Sequence, residues 1–178
     1  MDLKNVSPAE MEGRIARFKK LTPSKQAFVD TRIAEYERDI YNVIGRGVTE
    51  DPDLAPAIPN AEGFNVTYVG AEPGKGAALH AHETVEVFIP LSGRWTVYWG
   101  DEGEHEVTLE AFDCISVPTG VMRGFRNAGD SFAHLIAIIG SRPDAPDGGQ
   151  VAWAPKILKQ AEETGLKVGG DGSLVAAD

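Results

Sequence analysis

One stretch of the chain carries most of the information about its fold and chemistry: residues 74–86 read GKGAALHAHETVE. Successive side chains of a β-strand point to opposite faces, so His80 and His82 share a face, and Glu86 keeps that parity if the strand bends without a bulge. Imidazole ligands suit Zn, Cu, Fe and Ni, and two histidines with one carboxylate are typical of non-haem Fe(II) oxygenases. The stretch therefore predicts both a strand and a three-ligand metal site.

The size and charge of the chain limit what it can bind. Its 178 residues and 42% hydrophobic content fit one domain with a sizeable core. A net charge of −10 opposes binding to nucleic acid or to an anionic membrane surface, because phosphates are neutralised by lysine and arginine. Cys114 is the single cysteine, which excludes an intrachain disulfide. We expect Cys114 to be a small buried hydrophobe.

The sequence gives no targeting signal. Residues 1–8 lack the basic start and the apolar run of a secretory signal. No segment approaches the roughly 18 to 20 apolar residues of a membrane helix. We therefore expect a cytoplasmic protein with no membrane partner.

The first 60 residues predict an arm of helical and extended segments. A capping box at Ser7–Glu10, with proline at the first helical position, predicts a short amphipathic helix. Its apolar face would consist of Met11, Ile15 and Phe18. The stretch Ser24–Ile44 has apolar residues at mixed spacings, so we expect it to be partly helical and partly extended.

Residues 61–140 predict an all-β domain. Eight β-rich runs are separated by turn residues, which favours a closed antiparallel sandwich or barrel. The runs are Phe64–Val69, Ala77–His82, Thr84–Leu91, Arg94–Tyr98, His105–Leu109, Cys114–Val117, Met122–Arg126 and Ala133–Ile139. Residues 141–178 predict a surface linker, a short helix from Pro155 to Thr164 that Gly165 ends, and a fraying tail.

Two motifs in the all-β region resemble those of the cupin superfamily. The first cupin motif is Gly-x5-His-x-His-x3–4-Glu-x6-Gly, and all five of its fixed positions match here, at Gly74, His80, His82, Glu86 and Gly93. The resemblance implies a small jelly-roll β-barrel that holds a metal ion inside through His80, His82 and Glu86, with the substrate entering at the mouth. Cupins catalyse many reactions, so the fold does not choose one.

The second cupin motif is incomplete. Pro118, Gly120 and Asn127 match it, whereas Phe112 stands where glycine is usual and Arg123 stands where the fourth metal ligand is usual. A guanidinium stays charged and has no lone pair for a metal, so Arg123 is no substitute ligand. Inside a barrel its charge needs a partner.

Three partners for Arg123 are open. In the first interpretation His80, His82 and Glu86 hold a metal, and Arg123 binds an anionic group of the substrate. In the second, Arg123 pairs with Glu86 and replaces the metal, which would make a metal-free binding protein. In the third, Arg123 turns outward and His134 completes a four-ligand site.

The leading functional hypothesis is a metal-dependent cupin enzyme that acts on a small organic anion by dioxygenase-type oxidation. Fe(II) is the first choice of metal, with Zn, Mn or Ni as alternatives. Arg123 and Tyr98 are the candidate catalytic residues, and Arg123, Phe125 and Phe88 are the candidate substrate-binding residues. The alternatives are a metal-free small-molecule-binding cupin with an Arg123–Glu86 pair, and a cupin isomerase or lyase. The family and the long N-terminal arm also favour a homodimer.

Overall fold

The computed structural model describes residues 3–144 and 147–177. It contains two α-helices, α1 (Pro8–Glu12) and α2 (Pro155–Glu163), and short 3-10 turns at Phe18–Lys20, Val29–Arg32 and Ala34–Tyr36. The strands are β1 (Asp39–Ile44), β2 (Phe64–Ala71), β3 (Gly76–His82), β4 (Glu86–Pro90), β5 (Trp95–Trp99), β6 (His105–Leu109), β7 (Ile115–Val117), β8 (Arg123–Asn127), β9 (Ala133–Gly140), β10 (Val151–Trp153), β11 (Leu166–Val168) and β12 (Leu174–Ala176). No helix in the described ranges is long and apolar enough to cross a membrane.

Two five-stranded antiparallel sheets form the body of the molecule. The first sheet has the order β1-β2-β9-β4-β7 and the second has the order β10-β3-β8-β5-β6. Inward side chains of both sheets meet in one core, in which Phe88 and Leu135 of the first sheet join Trp95 and Phe125 of the second. The predicted all-β jelly roll is confirmed, as a sandwich of two sheets rather than a closed barrel.

All eight predicted strands are present, and two further strands complete the sheets. Strand β1 pairs with β2, and β10 pairs with β3, although both lie outside the range 61–140 predicted for the barrel. In β1 the residues Ile40 and Asn42 are both buried, so a polar side chain occupies an inward position. That polar residue breaks the apolar alternation by which a half-buried strand is recognised.

Helix α1 is shorter than its apolar spacing predicts. The capping box is present, because the Ser7 amide donates to Glu10 Oε2 at 2.8 Å and the Glu10 amide donates to Ser7 Oγ at 3.3 Å. The helix nevertheless ends at Glu12, before Ile15 and Phe18, and none of its residues is buried. Gly13 follows it at once, and without tertiary packing a short helix does not extend through a glycine.

The C-terminal region is more ordered than predicted. Helix α2 is confirmed, and it buries Ile157 and Ala161. The tail forms the β11–β12 hairpin instead of fraying. Within the predicted linker, Ala145 and Pro146 lie outside the described residues.

Cys114 is exposed, so the prediction of a buried cysteine is wrong. The residue directly precedes β7, in which Val117 is the buried position. Cys114 does not share the parity of Val117, and alternation along the strand directs its side chain outward.

Candidate metal centre

The three predicted ligands come from two facing sheets. His80 and His82 lie on β3 of the second sheet, whereas Glu86 begins β4 of the first sheet. The chain crosses between the sheets at residues 83–85, so one continuous strand does not carry all three side chains. All three are nevertheless buried and face one another, because each sheet turns its inner face to the other.

A bulge in β3 places the histidines. Along the β3–β8 pair Ala77 lies opposite Phe125 and His80 lies opposite Arg123, with a register shift between these pairs. Regular alternation would put residues three apart on opposite faces. The bulge instead lets both Ala77 and His80 line the interior.

Both histidines keep a ring nitrogen free to bind a metal. His80 Nδ1 donates to the Ala78 carbonyl oxygen at 2.7 Å, which leaves the Nε2 lone pair for a ligand, as in many metal sites. His82 Nδ1 is buried without a hydrogen-bond partner among the residues that the structure describes. Burial, together with His82 and Arg123, holds the pKa of His80 well below its ordinary value, so the ring is neutral, which is the metal-binding form.

The spacing of the donor atoms fits one ion. One donor atom from each of His80, His82 and Glu86 lies within 4.8 Å of the others. Two ligands on opposite sides of one zinc-like ion lie about 4 Å apart, so small side-chain adjustments bring all three to one centre. Two imidazoles and a carboxylate are a donor set that transition metals accept.

Arg123 is bound to Glu86. Its side chain is 0% exposed, and both Nε (3.0 Å) and Nη2 (2.8 Å) donate to Glu86 Oε2, while Nη1 donates to the Val121 carbonyl oxygen at 3.1 Å. His82 Nε2 lies 3.3 Å from the same Oε2 atom. Burial alone would raise the pKa of Glu86, but His82 and Arg123 outweigh it and lower that pKa to about 2. Glu86 is therefore a carboxylate, and Arg123 does not direct its fork of donors at a substrate.

A small cavity adjoins the cluster. Its volume is about 40 Å³, which is room for about three water molecules. Its walls are mostly apolar, with polar groups at a few points. Among the described residues they comprise Phe28, Arg38, Ile40, Asn42, Val48, Thr49, Thr67, Val69, Ala77, His80, His82, Glu86, Phe125, Ala137, Ile139, Val151 and Trp153.

Of the predicted pocket residues, Phe125 lines this cavity. Phe88 lies behind it in the core, with the two ring centroids 5.1 Å apart. Most other wall residues were not found from the sequence, among them the aromatic side chains of Phe28 and Trp153 and the guanidinium of Arg38. Strand β10 places Trp153 opposite His80, and their ring centroids are 5.2 Å apart. No local pattern identifies Trp153, because its position depends on a pairing between distant segments.

Two other predicted site residues are not brought to the cluster. The Tyr98 hydroxyl donates to the Ala77 carbonyl oxygen at 2.6 Å, and burial raises the pKa of Tyr98. His134 occupies an outward position of β9, where Phe18 and Phe132 each pack against its ring at 5.2 Å. The four-ligand arrangement with His134 therefore has no geometric support.

Comparison with known proteins agrees with this architecture. The family described as Cupin domain matches residues 67–139. A putative sugar phosphate isomerase from Acidithiobacillus ferrooxidans superposes with a TM-score of 0.56 at 16% identity, over 75% of this chain and 78% of that chain. A cupin 2 domain-containing protein from Halorhodospira halophila superposes with a TM-score of 0.50 at 20% identity, over 68% of this chain and 73% of that one.

An oxalate decarboxylase from Lactobacillus farciminis superposes with a TM-score of 0.52 at 16% identity, over 80% of this chain and 36% of that chain. No curated protein matches the sequence. At these identities the solved structures support the fold alone, and their different activities assign none to this chain. Together with the family match, they show that the central strands, residues 67–139, form a domain with the cupin fold.

Proposed function

We propose that this cupin is a metal-dependent enzyme acting on a small organic anion, with the metal held by His80, His82 and Glu86. The observation that carries the proposal is the convergence of three donor atoms within 4.8 Å. Buried His82 supports it, because its Nδ1 has no hydrogen-bond partner in the described part of the chain and a buried polar atom without a hydrogen bond is costly unless it has a ligand.

The bound metal would supply Lewis acidity and an open coordination position for the substrate or for O2. Fe(II) is the first candidate, as two histidines and one carboxylate suit it, with Zn, Mn or Ni as alternatives. Dioxygenase-type oxidation is the first candidate reaction, and isomerase or lyase chemistry at the same site is the alternative.

Residues of the chain itself prepare the site. The Ala78 carbonyl fixes the His80 tautomer, and Arg123 keeps Glu86 ionised and oriented through two hydrogen bonds. The walls of the small cavity are mostly apolar, and a low-dielectric wall strengthens electrostatic interactions beside it. In this proposal Arg123 is a positioning residue for Glu86, and Tyr98 has no catalytic role.

Metal analysis of the purified protein tests the site. We expect near-stoichiometric metal after reconstitution, and its loss in the separate variants His80→Ala and Glu86→Ala. The matched control is His105→Ala, which removes an exposed histidine with a ring 62% exposed. No bound metal in the reconstituted wild-type protein would refute the proposal.

Oxygen uptake tests the reaction. Anaerobically iron-loaded protein is mixed with a panel of small aliphatic and aromatic carboxylates, and O2 consumption is recorded. Uptake that requires both iron and one of the acids is the expected result. Full iron occupancy with no uptake for any acid would redirect the proposal to isomerase or lyase chemistry.

A second candidate is a metal-free small-molecule-binding cupin. The contact that favours it is the buried Arg123–Glu86 pair, which puts a positive charge beside the ligand cluster. Arg123→Asn serves as the control for Arg123→His, because it removes the charge without adding a ligand. A large gain in metal affinity for Arg123→His alone would show that arginine had displaced the metal, whereas unchanged affinity favours the three-ligand site.

We also propose a homodimer in which the N-terminal arm packs on a second copy, and a cytoplasmic location. The arm exposes the large apolar side chains Leu3, Val6, Met11, Ile15 and Phe18. Exposed apolar side chains grouped in one segment favour a protein–protein contact. Light scattering should give twice the mass of one chain, and a variant that lacks residues 1–18 should give the mass of one.

A further inference from the structure

The described residues include two buried arginines, Arg38 and Arg123, which differ in how their donors are used. In Arg123, the edge formed by Nε and Nη2 donates to Glu86. That edge presents two parallel N–H groups, which match the two oxygens of a carboxylate. In Arg38 the Nε atom of the same edge donates to no acceptor in the described chain.

Arg38 is fixed in place by its other atoms. Its Nη1 lies within hydrogen-bond distance of Asp30 Oδ2 (3.0 Å), the Tyr36 carbonyl (2.8 Å) and the Gly76 carbonyl (3.1 Å). Asp30 Oδ2 also accepts from the amide of Ala78 at 3.0 Å. Arg38 is 6% exposed and Asp30 is 0% exposed, so the pair is rigidly attached to β3, the strand that carries His80 and His82.

The Nε edge of Arg38 retains spare donors. Nε is buried and has no hydrogen-bond partner within residues 3–144 and 147–177. Nη2 lies 3.0 Å from Asp30 Oδ1, but Oδ1 accepts no hydrogen bond in the described part of the chain. Buried guanidinium donors without acceptors are rare in proteins, and each calls for an explanation such as a ligand.

Arg38 also lies beside the candidate metal centre. It lines the same cavity as His80, His82 and Glu86. Its guanidinium carbon lies 5.2 Å from the centroid of the Phe28 ring, which is another part of the cavity wall. A planar, preorganised guanidinium at an apolar wall is well suited to bind a carboxylate away from water.

We propose that Arg38 is the residue that binds the carboxylate of the substrate, through its Nε edge, and that the substrate is a short-chain carboxylate. The cavity of about 40 Å³ limits the bound acid to a few atoms. This inference rests on the proposed function in one respect, because only that function makes the bound carboxylate a substrate. The binding of a carboxylate by Arg38 is testable with or without a metal.

Acetate is the probe, and acetamide, a neutral molecule of nearly the same shape, is the reference. Calorimetric titration of zinc-loaded and of metal-free wild-type protein should show that acetate binds and that acetamide binds much more weakly. The variant pair Asp30→Asn/Arg38→Met removes the guanidinium without leaving Asp30 as an unpaired buried charge. We expect its acetate affinity to fall by about tenfold to a hundredfold, with zinc affinity unchanged.

Two further variants keep the test decisive. Arg38→Lys retains the charge and lacks the fork, so we expect acetate affinity to fall by about tenfold even if the double variant does not fold. Arg126→Met removes a half-buried arginine on β8 and should bind acetate as the wild type does. Wild-type affinity for acetate in Arg38→Lys or in the folded double variant would overturn the inference, as would no acetate binding by the wild type in either form.

The outcomes separate this inference from the proposed function. If the wild type binds no metal, the proposed enzyme is wrong, but acetate binding that depends on Arg38 in the metal-free protein would still support the inference. If zinc binds and acetate affinity is independent of Arg38, the metal centre stands and Arg38 is only a structural partner of Asp30.

Discussion

Phe112 occupies a backbone conformation that favours glycine. The variant Phe112→Gly should therefore be more stable than Phe112→Ala, which is the reverse of the order at an ordinary position. Its φ is +73°, and no other non-glycine residue in the described chain has a positive φ. It lies in a turn that the Asp113 amide closes on the Glu110 carbonyl at 3.0 Å. A positive φ at the third residue of such a turn is the position where glycine is preferred.

The magnitude follows from the comparison of Phe112→Gly with Phe112→Ala. Both variants lose the same phenyl ring, which is exposed along with the rest of the residue (79%), so that loss cancels. Alanine keeps the left-handed strain of about 1–2 kcal/mol, whereas glycine is free of it but loses about 0.5–1 kcal/mol through the entropy of the unfolded chain. The glycine variant should therefore be more stable than the alanine variant by about 1 kcal/mol.

Urea denaturation at one pH measures the two free energies of unfolding, and thermal melts should place the glycine variant about 2–4 °C above the alanine variant. At an ordinary position the alanine variant is the more stable of the two by about 0.5–1 kcal/mol. Equal stability, or a more stable alanine variant, would show that Phe112 is not strained.

Three other predictions concern buried and exposed groups. Burial raises the pKa of Glu50 from 4.5 to about 7, so the folded state favours its protonated form. The free energy of unfolding should therefore fall by about 3 kcal/mol as the pH rises from 4.5 through 7. Urea denaturation at pH 5 and pH 8 should show this fall in the wild type and not in Glu50→Gln; an equal fall in both would contradict it. Arg123→Met leaves Glu86 as an unpaired buried charge and should destabilise the metal-free protein by about 3–5 kcal/mol, whereas Arg123→Met/Glu86→Gln should recover most of that in the same assay. Cys114 should react with an aromatic disulfide reagent in the folded protein, and protection of the thiol until urea is added would contradict its exposure.

The strands were predictable because their signals are local. Eight β-rich runs separated by turn residues correspond to β2–β9. Strand β1 was predicted only in part and β10 not at all, since Asn42 turns inward in one and the other has three residues. Short or mixed segments become strands through pairing with a sheet edge, and that pairing is not encoded in their own sequence.

The ligand cluster was predictable for a different reason. Strand parity put His80 and His82 on one face and extended that face to Glu86, and the first cupin motif supported the same three residues. One continuous strand was expected to carry all three ligands, but Glu86 reaches the cluster from the opposite sheet. The spacing of the motif therefore held although the assumption of one continuous strand did not.

By itself, the sequence determined the strand order along the chain, the cupin motifs and the identity of the three candidate ligands. These features depend on residue type and on short-range periodicity. Only the tertiary structure decided which charges meet: Arg123 with Glu86, and Arg38 with Asp30 beside the cavity. A buried charge takes the partner that the packing of distant segments brings within reach, and spacing along one chain does not specify that choice.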